Sequence, residues 1–506
     1  MGDGRAPVLV GVAQRTVRPG DAGVGSLPLP GASDPLALLE AAARAAIVDA
    51  GLDPAGLAEL DTIGLVNSLG WYPKNGPRLL AERLGVRPRR ELVTGVGGDT
   101  PLVLVNHVAR AIARGEIDVA LLGGTHVIRT LRTARAKGVQ LEIPLGGEGA
   151  PTEVSESKPG HSPREERYGL VLPSTIYPLF ENALRARRGL ALEDHRLRMG
   201  ALMEPLTRAA AANPHAWFPV ARSADELTKP SAENRMIAFP YPKYLNAVIE
   251  TDQAAALLLC SAAAAHRLGV PEKRWAHWWG GGQAVEDPWF ATERPDFAAC
   301  PALRRAARAA LAEAGVALGE VDHFDLYSCF PVALEMACDE LGLAEDDPRG
   351  LSVTGGLPYA GGPGNDYCLQ SLAAMVERLR ERGGAALVTG NGWYLTKHSA
   401  CVVAARPRQA APPPAAAPEP APPAAAPVAF AEEAEGEGTL ETYTVLYDRA
   451  GAPERGIVVG RLGDGRRFLA HVPEDRALLE RFVAQEEVGR RGRVAHRDGR
   501  NRFEPG

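Results

Sequence analysis

The sequence has few cysteines, and their spacing excludes two kinds of site that cysteines build. The six cysteines stand at positions 260, 300, 329, 338, 368 and 401, without a Cys-x-x-Cys pair. Zinc ribbons and disulfide scaffolds need closely spaced or numerous cysteines. We therefore expect reduced thiols and no bound metal.

The sequence also lacks a long apolar run, an apolar leader and an excess of basic residues. Its longest apolar run, Ala254–Ala265, includes Cys260 and Ser261 and is too short to span a bilayer. The first seven residues contain no signal-peptide core. The formal net charge of −6 does not favour nucleic acid as a partner. These absences predict a cytoplasmic protein without a membrane span.

The chain has the composition of a globular protein with several domains. Hydrophobic residues make up 45% and charged residues 23% of the 506 positions, a length too great for one core. Residues 406–437 are rich in Ala and Pro and predict a linker. Residues 438–506 alternate as short strands separated by turn signals, which predicts a small β-barrel. Aromatic residues are few in this barrel and its arginines are interleaved with acids, so nucleic-acid binding is not expected.

The rest of the chain is organised around the stretch from Thr94 to Pro101. Pro101 suits the first turn of a helix, and Asp99 or Thr100 can cap it. Gly97 and Gly98 allow a turn whose backbone N–H groups lie at the positive end of that helix. Such a turn suits a reacting carbonyl group or an anion.

The same order of elements occurs twice along the chain. Residues 42–51 match residues 306–315, and a proline, Pro35 or Pro301, opens each of the two helices. Each copy continues through a Gly-Gly turn, a helix that ends in Arg-Gly and an apolar strand, which in the first copy lies at residues 117–124. This repeat predicts two similar α/β halves packed together.

The segment from Thr94 to Gly124 resembles the nucleophile segment of thiolases, where a cysteine stands at the start of the helix. Here Gly97 or Gly98 holds that position. Residues 169–180 and 234–246 resemble the loop region of sterol carrier protein X-type thiolases. The resemblance implies a duplicated α/β thiolase fold with α/β/α/β/α layers: a first half at residues 1–125 and 241–270, an inserted loop domain at 126–240 and a second half at 271–405. Residues 438–506 resemble the OB-fold domains that accompany acyl-CoA thiolase-like proteins.

The thiolase motifs that carry chemistry are altered in this sequence. Residues 327–330 read Tyr-Ser-Cys-Phe, where sterol carrier-type thiolases have His-Asp-Cys-Phe. Gly362 stands in place of the histidine of Gly-His-Pro, and residues 390–392 read Gly-Asn-Gly in place of Cys-x-Gly. The resemblance therefore implies that both catalytic cysteines and the histidine are missing, so we expect no acyl transfer through a cysteine nucleophile. Cys329 is either a nucleophile or a buried structural thiol.

Four polar residues at these positions are the catalytic candidates. Tyr327 follows a strand at its carboxyl end, where it donates to an oxyanion, takes a proton if its pKa is lowered, or packs under a loop. His398 is either a base or a satisfied structural imidazole. Asn391 orients a carbonyl group, and Asp99 is a helix cap, a base or a polar contact.

A second set of residues is predicted to bind the substrate, which the resemblance identifies as a coenzyme A thioester. Arg129 and Arg132 have helical spacing and form either a patch for the phosphates of coenzyme A or a solvated helix face. Asn365 either caps the second-half helix or contacts the ligand, and His126 is either structural or a contact. The predicted substrate-binding residues are Gly97, Gly98, Gly362, Asn365, Gly390, Gly392, His126, Arg129 and Arg132. No covalently bound cofactor is expected.

These residues leave three functions open. The first is an enzyme that makes or breaks a carbon–carbon bond in an acyl-CoA by aldol or Claisen chemistry, with Tyr327 and His398 handling protons. The second is an inactive thiolase-like protein that binds an acyl-CoA or a partner, and the third is an assembly module whose C-terminal barrel docks onto another protein. Fold similarity does not choose among them. In each case we expect no thiol at the start of the helix near Pro101.

Overall fold

The structure, a computed structural model, describes residues 4–54, 57, 59–408 and 428–506. Its strands are β1 (Pro7–Thr16), β2 (Thr62–Leu65), β3 (Arg90–Val93), β4 (Val119–Val127), β5 (Thr152–Glu153), β6 (Met236–Ala238), β7 (Tyr241–Pro242), β8 (Asp252–Ser261), β9 (Ala276–Val285), β10 (His323–Asp325), β11 (Ala385–Gly392), β12 (Lys397–Ala404), β13 (Gly436–Tyr447), β14 (Pro453–Leu462), β15 (Arg467–His471), β16 (Arg491–Arg497) and β17 (Arg500–Pro505).

Helices alternate with these strands over most of the chain. They are α1 (Pro35–Asp49), α2 (Gly76–Leu84), α3 (Thr100–Ala113), α4 (Ile128–Ala136), α5 (Pro163–Arg167), α6 (Pro173–Arg187), α7 (Leu192–Ala212), α8 (Ala224–Thr228), α9 (Ala262–Arg267), α10 (Pro301–Ala314), α11 (Pro331–Leu341), α12 (Tyr367–Arg382) and α13 (Arg476–Ala484).

The main body is a ten-stranded mixed sheet in the order β10-β11-β12-β9-β1-β8-β4-β2-β3-β5. The order of β1, β8, β4 and β2 on one side is repeated by β9, β12, β11 and β10 on the other. The two sides join through a short antiparallel pairing in which Val8 lies opposite His277 and Leu9 opposite Ala276. This topology confirms the predicted duplicated α/β fold.

Helices form the remaining layers of the fold. α1 packs on β1, β8 and β4, and α10 packs on β9 and β12. α3 and α12 each contact strands of both halves, so they form the central layer. The sequence determines these helices locally: Asp34 accepts the Ala37 N–H at 2.9 Å to cap α1, and Gly315 in the left-handed region ends α10.

The inserted region is more helical than the sequence pattern indicated. Residues 126–240, which read as less regular, contain the long helices α6 and α7. Each has a proline in its interior, Pro178 or Pro205. An interior proline removes a backbone donor and usually ends a helix. The sequence pattern of residues 126–240 therefore did not predict these two helices.

The C-terminal region is a closed five-stranded barrel, as expected. Its strands follow the order β14-β15-β17-β16-β13, and pairing between β13 and β14 closes it. The barrel joins the insertion because β13 pairs with β6, with Leu446 opposite Ala238.

The described parts of the predicted linker, on either side of residues 409–427, contact the second half. Arg408 donates to the Glu313 carbonyl oxygen at 2.6 Å, and the Val428 N–H donates to the Glu293 carbonyl oxygen at 3.2 Å. Residues 409–427, most of the predicted linker, lie outside the described residues. Among the helices of the described ranges, none combines the length and the apolar character needed to cross a membrane.

Candidate functional site

The turn of Gly97 and Gly98 lies at the start of α3, between the two halves. Gly97 has a φ of +146°, and its Cβ position would lie 2.7 Å from Lys397 Nζ. A Cβ at Gly98 would lie closer than 3.0 Å to the Tyr327 hydroxyl and 2.6 Å from the Asn391 carbonyl oxygen. Real Cβ atoms essentially never show such separations. Groups of the second half therefore fill the space that a nucleophile side chain would need.

Tyr327 is the group that lies over Gly98. It follows β10, and its N–H donates to Thr389 Oγ1 at 2.9 Å, which fixes the backbone. Its hydroxyl makes no hydrogen bond within the described part of the chain. Burial raises the pKa of Tyr327 well above 10, and Cys329 and Asp99 nearby add to the rise. The side chain is therefore a neutral phenol, suited to donate a hydrogen bond but not to act as a base.

Lys397, which the motifs did not indicate, completes this group. It is the first residue of β12, and its Nζ lies 3.2 Å from Asp99 Oδ1 and donates to the Val96 carbonyl oxygen at 2.6 Å. Burial raises the pKa of Asp99, while the charge of Lys397 opposes the rise. Asp99 does not cap α3, which lacks a side-chain cap hydrogen bond. The carboxylate is used in an ion pair between the halves instead.

Strand alternation decides which residues of β12 reach this group. Ser399 Oγ donates to the Asp99 carbonyl oxygen at 2.7 Å, so Lys397 and Ser399 face α3. His398 points to the opposite face, where its Nε2 lies 3.1 Å from Cys300 Sγ. Burial lowers the pKa of His398 to about 3. The structure therefore does not bring His398 close to Tyr327. Side chains alternate between the two faces of a strand, and this alternation along β12 is the sequence signal that could have indicated Lys397.

The residues of β11 divide in the same way. Asn391 lies opposite His398, and its Nδ2 donates to the Tyr177 hydroxyl at 2.9 Å, away from α3. Only its carbonyl oxygen reaches the Gly98 turn. Gly390 and Gly392 face α3, where a Cβ would overlap Ser399 and Asp99 respectively. Glycine at these positions permits the close approach of the two halves.

Asn365 joins the two halves at the start of α12. Its Oδ1 accepts the Gly97 N–H at 3.0 Å, and its Nδ2 donates to the Asn67 carbonyl oxygen at 2.6 Å. α12 has no side-chain cap hydrogen bond. Asn365 thus contacts the predicted site directly instead of capping its own helix.

The expectation that no thiol lies at the start of α3 is wrong. Cys368 Sγ donates to the Gly98 carbonyl oxygen at 3.2 Å, because α12 and α3 begin side by side. Burial raises the pKa of Cys368 well above 9 and that of Cys329 to about 12. A thiol with a raised pKa remains protonated, so neither sulfur is an activated nucleophile.

The two predicted arginines lie in a separate group, on α4. Arg129 forms an ion pair with the buried Asp252 at 2.5 Å, and Arg132 pairs with Glu250. Both guanidinium groups therefore already have acidic partners from the start of β8 or just before it. Their predicted role in binding coenzyme A phosphates stays a prediction.

His126 and Gly362 lie near the same segment. The His126 Nε2 donates to the Ile249 carbonyl oxygen at 2.8 Å, and burial lowers the pKa of its ring to about 4. The Gly362 N–H donates to the Val248 carbonyl oxygen at 2.8 Å. The predicted residues thus form two clusters: Tyr327, Asp99, Asn365 and the glycines 97, 98, 390 and 392 come together, while His126, Arg129, Arg132 and Gly362 lie beside the start of β8.

Two comparisons with known proteins identify the family. Residues 419–500 match the model of the thiolase-like protein type 1 additional C-terminal domain, and residues 282–363 match the thiolase C-terminal domain-like model. The crystal structure of a monomeric SCP2-thiolase like protein type 1 (STLP1) from Mycobacterium smegmatis is 35% identical over 100% of both chains, with a TM-score of 0.81. The chain belongs to the type 1 SCP2-thiolase-like proteins.

More distant structures share the fold of this SCP2-thiolase-like protein. The Ltp2-ChsH2(DUF35) aldolase is 18% identical over 79% of this chain and 98% of that chain, with a TM-score of 0.59. An acetyl-CoA acetyltransferase from Syntrophomonas wolfei is 16% identical over 79% of this chain and 99% of that chain, with a TM-score of 0.55. A search of curated proteins finds no match.

Two surface cavities of this SCP2-thiolase-like protein lie apart from the glycine turns. One of about 440 Å³ is lined by Ser162, Pro163, Arg164, Arg167, Phe290, Glu293 and Glu432. The other, of about 400 Å³, is lined by residues of α7, α12 and the loops next to them. Neither is lined by a predicted site residue. The space between Gly98 and Tyr327, which we call the crevice, is narrow because a Cβ at Gly98 would overlap the Tyr327 hydroxyl.

Two buried clusters of the SCP2-thiolase-like protein have the composition of metal ligands. They are Glu286, Cys300 and His398, and Glu181, His195 and Glu335. In the first, Cys300 and His398 lie at the separation of a thiol–imidazole hydrogen bond. In the second, Glu181 contacts His195 Nε2 at 2.5 Å and accepts from the Tyr241 hydroxyl. Internal hydrogen bonds thus satisfy much of each cluster, and the absence of a metal stays a prediction.

Proposed function

We propose that this SCP2-thiolase-like protein binds the carbonyl group of an acyl-CoA thioester between its two halves, without forming an acyl-enzyme. The observation that carries the proposal is the neutral, nearly buried hydroxyl of Tyr327, which lies over Gly98 without a described acceptor. An O–H donor without a protein acceptor can donate to a ligand carbonyl oxygen, and such a hydrogen bond contributes about 0.5–1.5 kcal/mol net.

The groups around Tyr327 favour a carbonyl oxygen over covalent acyl transfer. Lys397 brings a positive charge to the Gly97 turn. The thiol nearest that turn, Cys368, has a raised pKa and donates to a backbone carbonyl. Positive charge and O–H donors stabilise a polarised carbonyl, whereas acyl transfer would need a thiolate. Because the fold is shared with an acetyl-CoA acetyltransferase, we propose a coenzyme A thioester as the ligand.

Isothermal titration calorimetry with coenzyme A and a series of acyl-CoA thioesters tests this proposal. We expect Tyr327→Phe to weaken thioester binding by about 3- to 10-fold, the effect of losing one hydrogen bond of about 0.5–1.5 kcal/mol. Tyr72→Phe is the matched control, because Tyr72 is 65% exposed and lies outside the site. Equal affinities for the two variants, or no heat with any thioester, would remove the proposal.

A second candidate function is cleavage or formation of a carbon–carbon bond in the bound acyl-CoA. The observation that favours it is Asp99, a buried carboxyl with a raised pKa close to the Tyr327 phenol. In a retro-aldol step Asp99 would accept the proton of a β-hydroxyl group while Tyr327 donates to the thioester oxygen. Asp99 thus takes the role of base that the sequence suggested for His398. The Ltp2-ChsH2(DUF35) aldolase, which shares this fold at 18% identity, is consistent with such chemistry.

Mass spectrometry of β-hydroxyacyl-CoA incubations tests the second candidate. We expect aldehyde or ketone and a shortened acyl-CoA to form with the unmodified protein and with Cys329→Ala, and to disappear with Asp99→Asn. The candidate fails if no product forms, or if Asp99→Asn turns over at the unmodified rate.

A protein partner at the barrel remains part of the proposal. One face of the barrel is already occupied by the insertion, through the pairing of β13 with β6. A partner would therefore use the remaining outer surface, such as the exposed side chains of β16. Co-purification with and without residues 428–506 tests this, and a complex that forms equally well without them would contradict it.

A further inference from the structure

Lys397 is unusual because it is a buried lysine. Seven of the 56 basic residues are lysines, and the other six are exposed or partly exposed while Lys397 is buried. Other buried ion pairs use arginine, as in Arg467 with Glu441 and Arg129 with Asp252. Arginine suits a buried pair because its guanidinium stays charged, whereas a lysine amine can lose its proton and become a nucleophile. Ion pairing alone does not explain a lysine here.

The backbone before Lys397 is strained. Trp393 and Leu395, in the turn between β11 and β12, have φ values of 57° and 53°, in the left-handed region that favours glycine. Each non-glycine residue held there costs on the order of 1 kcal/mol or more, and such strain is concentrated at functional sites. The turn leads directly into β12, whose first residue, Lys397, faces Asp99.

We propose that Lys397 captures carbonyl compounds by forming a Schiff base with a small ketone or aldehyde, held between Asp99 and Tyr327. The Lys397 and Asp99 side chains keep only 8% and 7% of their surface exposed, which limits the ligand to a small carbonyl compound or the end of a longer one. The inference goes beyond the proposed thioester binding, and it rests on that proposal only in using the same crevice.

The reaction balances with the groups present. The Lys397 ammonium gives a proton to the Asp99 carboxylate, and the free amine attacks the carbonyl carbon while Tyr327 donates a hydrogen bond to the oxygen. A C–N bond forms, the carbonyl π bond breaks, and a further proton moves from nitrogen to oxygen to give a carbinolamine. Asp99 returns its proton to the departing hydroxyl group, so that water and a protonated imine are formed. No oxidant or reductant is consumed.

The geometry suits these proton transfers. The ammonium and carboxylate are 3.2 Å apart, and the raised pKa of Asp99 helps it to hold a proton for part of the cycle. Tyr327 remains a neutral donor because burial raises its pKa. The three side chains come from β12, from the residue before α3 and from the loop after β10, so the site exists only when both halves are packed together.

Reductive trapping of the intact protein tests the inference. The full chain is incubated with acetone and sodium cyanoborohydride near neutral pH, digested with chymotrypsin and mapped by mass spectrometry. We expect Lys397 to be alkylated at least about tenfold faster than the exposed lysines despite its burial, since Asp99 lies beside it and can accept and return the protons of imine formation. Labelling of the exposed lysines with Lys397 unmodified would overturn the inference.

Variants separate the amine from the positive charge. Lys397→Arg keeps a cation beside Asp99 but cannot form an imine, so we expect it to lose the fast-labelled site. Lys243→Arg replaces an exposed lysine, and in this variant Lys397 should still be labelled fast. If Lys397→Arg does not fold, Lys397→Met and the mapping of the unmodified protein still decide the question. Thioester calorimetry on the same samples distinguishes the two proposals: binding without trapping removes only the Schiff base, and trapping without thioester binding removes only the proposed ligand.

Discussion

Gly98 marks the place where this site differs most from a thiolase nucleophile site. A Cβ there would overlap the Tyr327 hydroxyl and the Asn391 carbonyl oxygen, which belong to the second half and are held by packing. Placing a cysteine at one of the two candidate nucleophile positions by Gly98→Cys should therefore destabilise the protein by about 1–3 kcal/mol, as overpacking of a dense core does. Urea unfolding measures the change.

Gly463→Ala is the control for this substitution, because Gly463 is exposed and a Cβ there meets nothing within 4 Å. We expect that variant to unfold close to the unmodified protein. A stable Gly98→Cys protein with a reactive thiol would show that Tyr327 moves aside easily and that the crevice is wider than the structure indicates.

Residues with special backbone roles could be recognised in the sequence as site candidates, whereas Lys397, which has no such role, was missed. Gly97, Gly98, Gly390 and Gly392 were recognisable because turns and close approaches need glycine, and Tyr327 because it follows a strand. Lys397 has no motif of its own, and its neighbour His398 drew attention as the only imidazole in the stretch. Applying strand alternation to residues 397–404 would have placed these two side chains on opposite faces.

Among the elements, α6, α7 and α11 meet at a buried acidic cluster. Glu181 contacts His195 and accepts from the Tyr241 hydroxyl, while Glu335 pairs with Arg188. Burial raises the pKa of Glu181 to about 7. The folded state therefore binds the proton of Glu181 more tightly than the unfolded chain, in which the pKa is near 4.5.

This shift predicts how Glu181→Gln changes the pH dependence of stability. The stabilisation that protonated Glu181 gives the folded state is complete below about pH 4.5 and is lost as the pH rises through 7. The free energy of unfolding of Glu181→Gln, relative to the unmodified protein, should thus rise by about 3 kcal/mol between those pH values and then level off. Urea unfolding from pH 4.5 to 8 measures it, with the exposed Glu82→Gln as control. A difference that does not change with pH would contradict the prediction.

The elements of the two halves were more predictable than those of the insertion. In α1 and α10 a proline opens the helix and a glycine follows its end, so local chemistry and the final fold agree. In α6 and α7 the interior prolines oppose the helix locally, and packing against α11 stabilises both helices instead, with β13 of the barrel also packing against α6. Such helices depend on tertiary contacts, which a single sequence does not display.

The barrel is attached to the rest of the molecule through buried charged groups as well as through strand pairing. Arg467 of β15 is completely buried and contacts both carboxylate oxygens of Glu441. It also donates to the carbonyl oxygens of Thr292 and Arg294, in the second half, at 2.7 and 2.6 Å. A buried guanidinium shared by two bodies makes their unfolding interdependent, because separating them leaves its partners unsatisfied.

Arg467→Met should therefore uncouple the barrel from the rest of the protein. All seven tryptophans lie at or before residue 393, so their fluorescence reports on the thiolase-like body, whereas far-UV circular dichroism reports on both parts. We expect coincident urea transitions in the unmodified protein and, in Arg467→Met, a dichroism transition that begins at lower urea, with a loss of about 3–5 kcal/mol for the barrel. Arg466→Met is the control, since Arg466 is half-exposed and pairs with Asp464 on its own turn. Coincident transitions in Arg467→Met would show that the other contacts of the barrel, among them those of β13 with β6 and α6, are sufficient to couple the two parts.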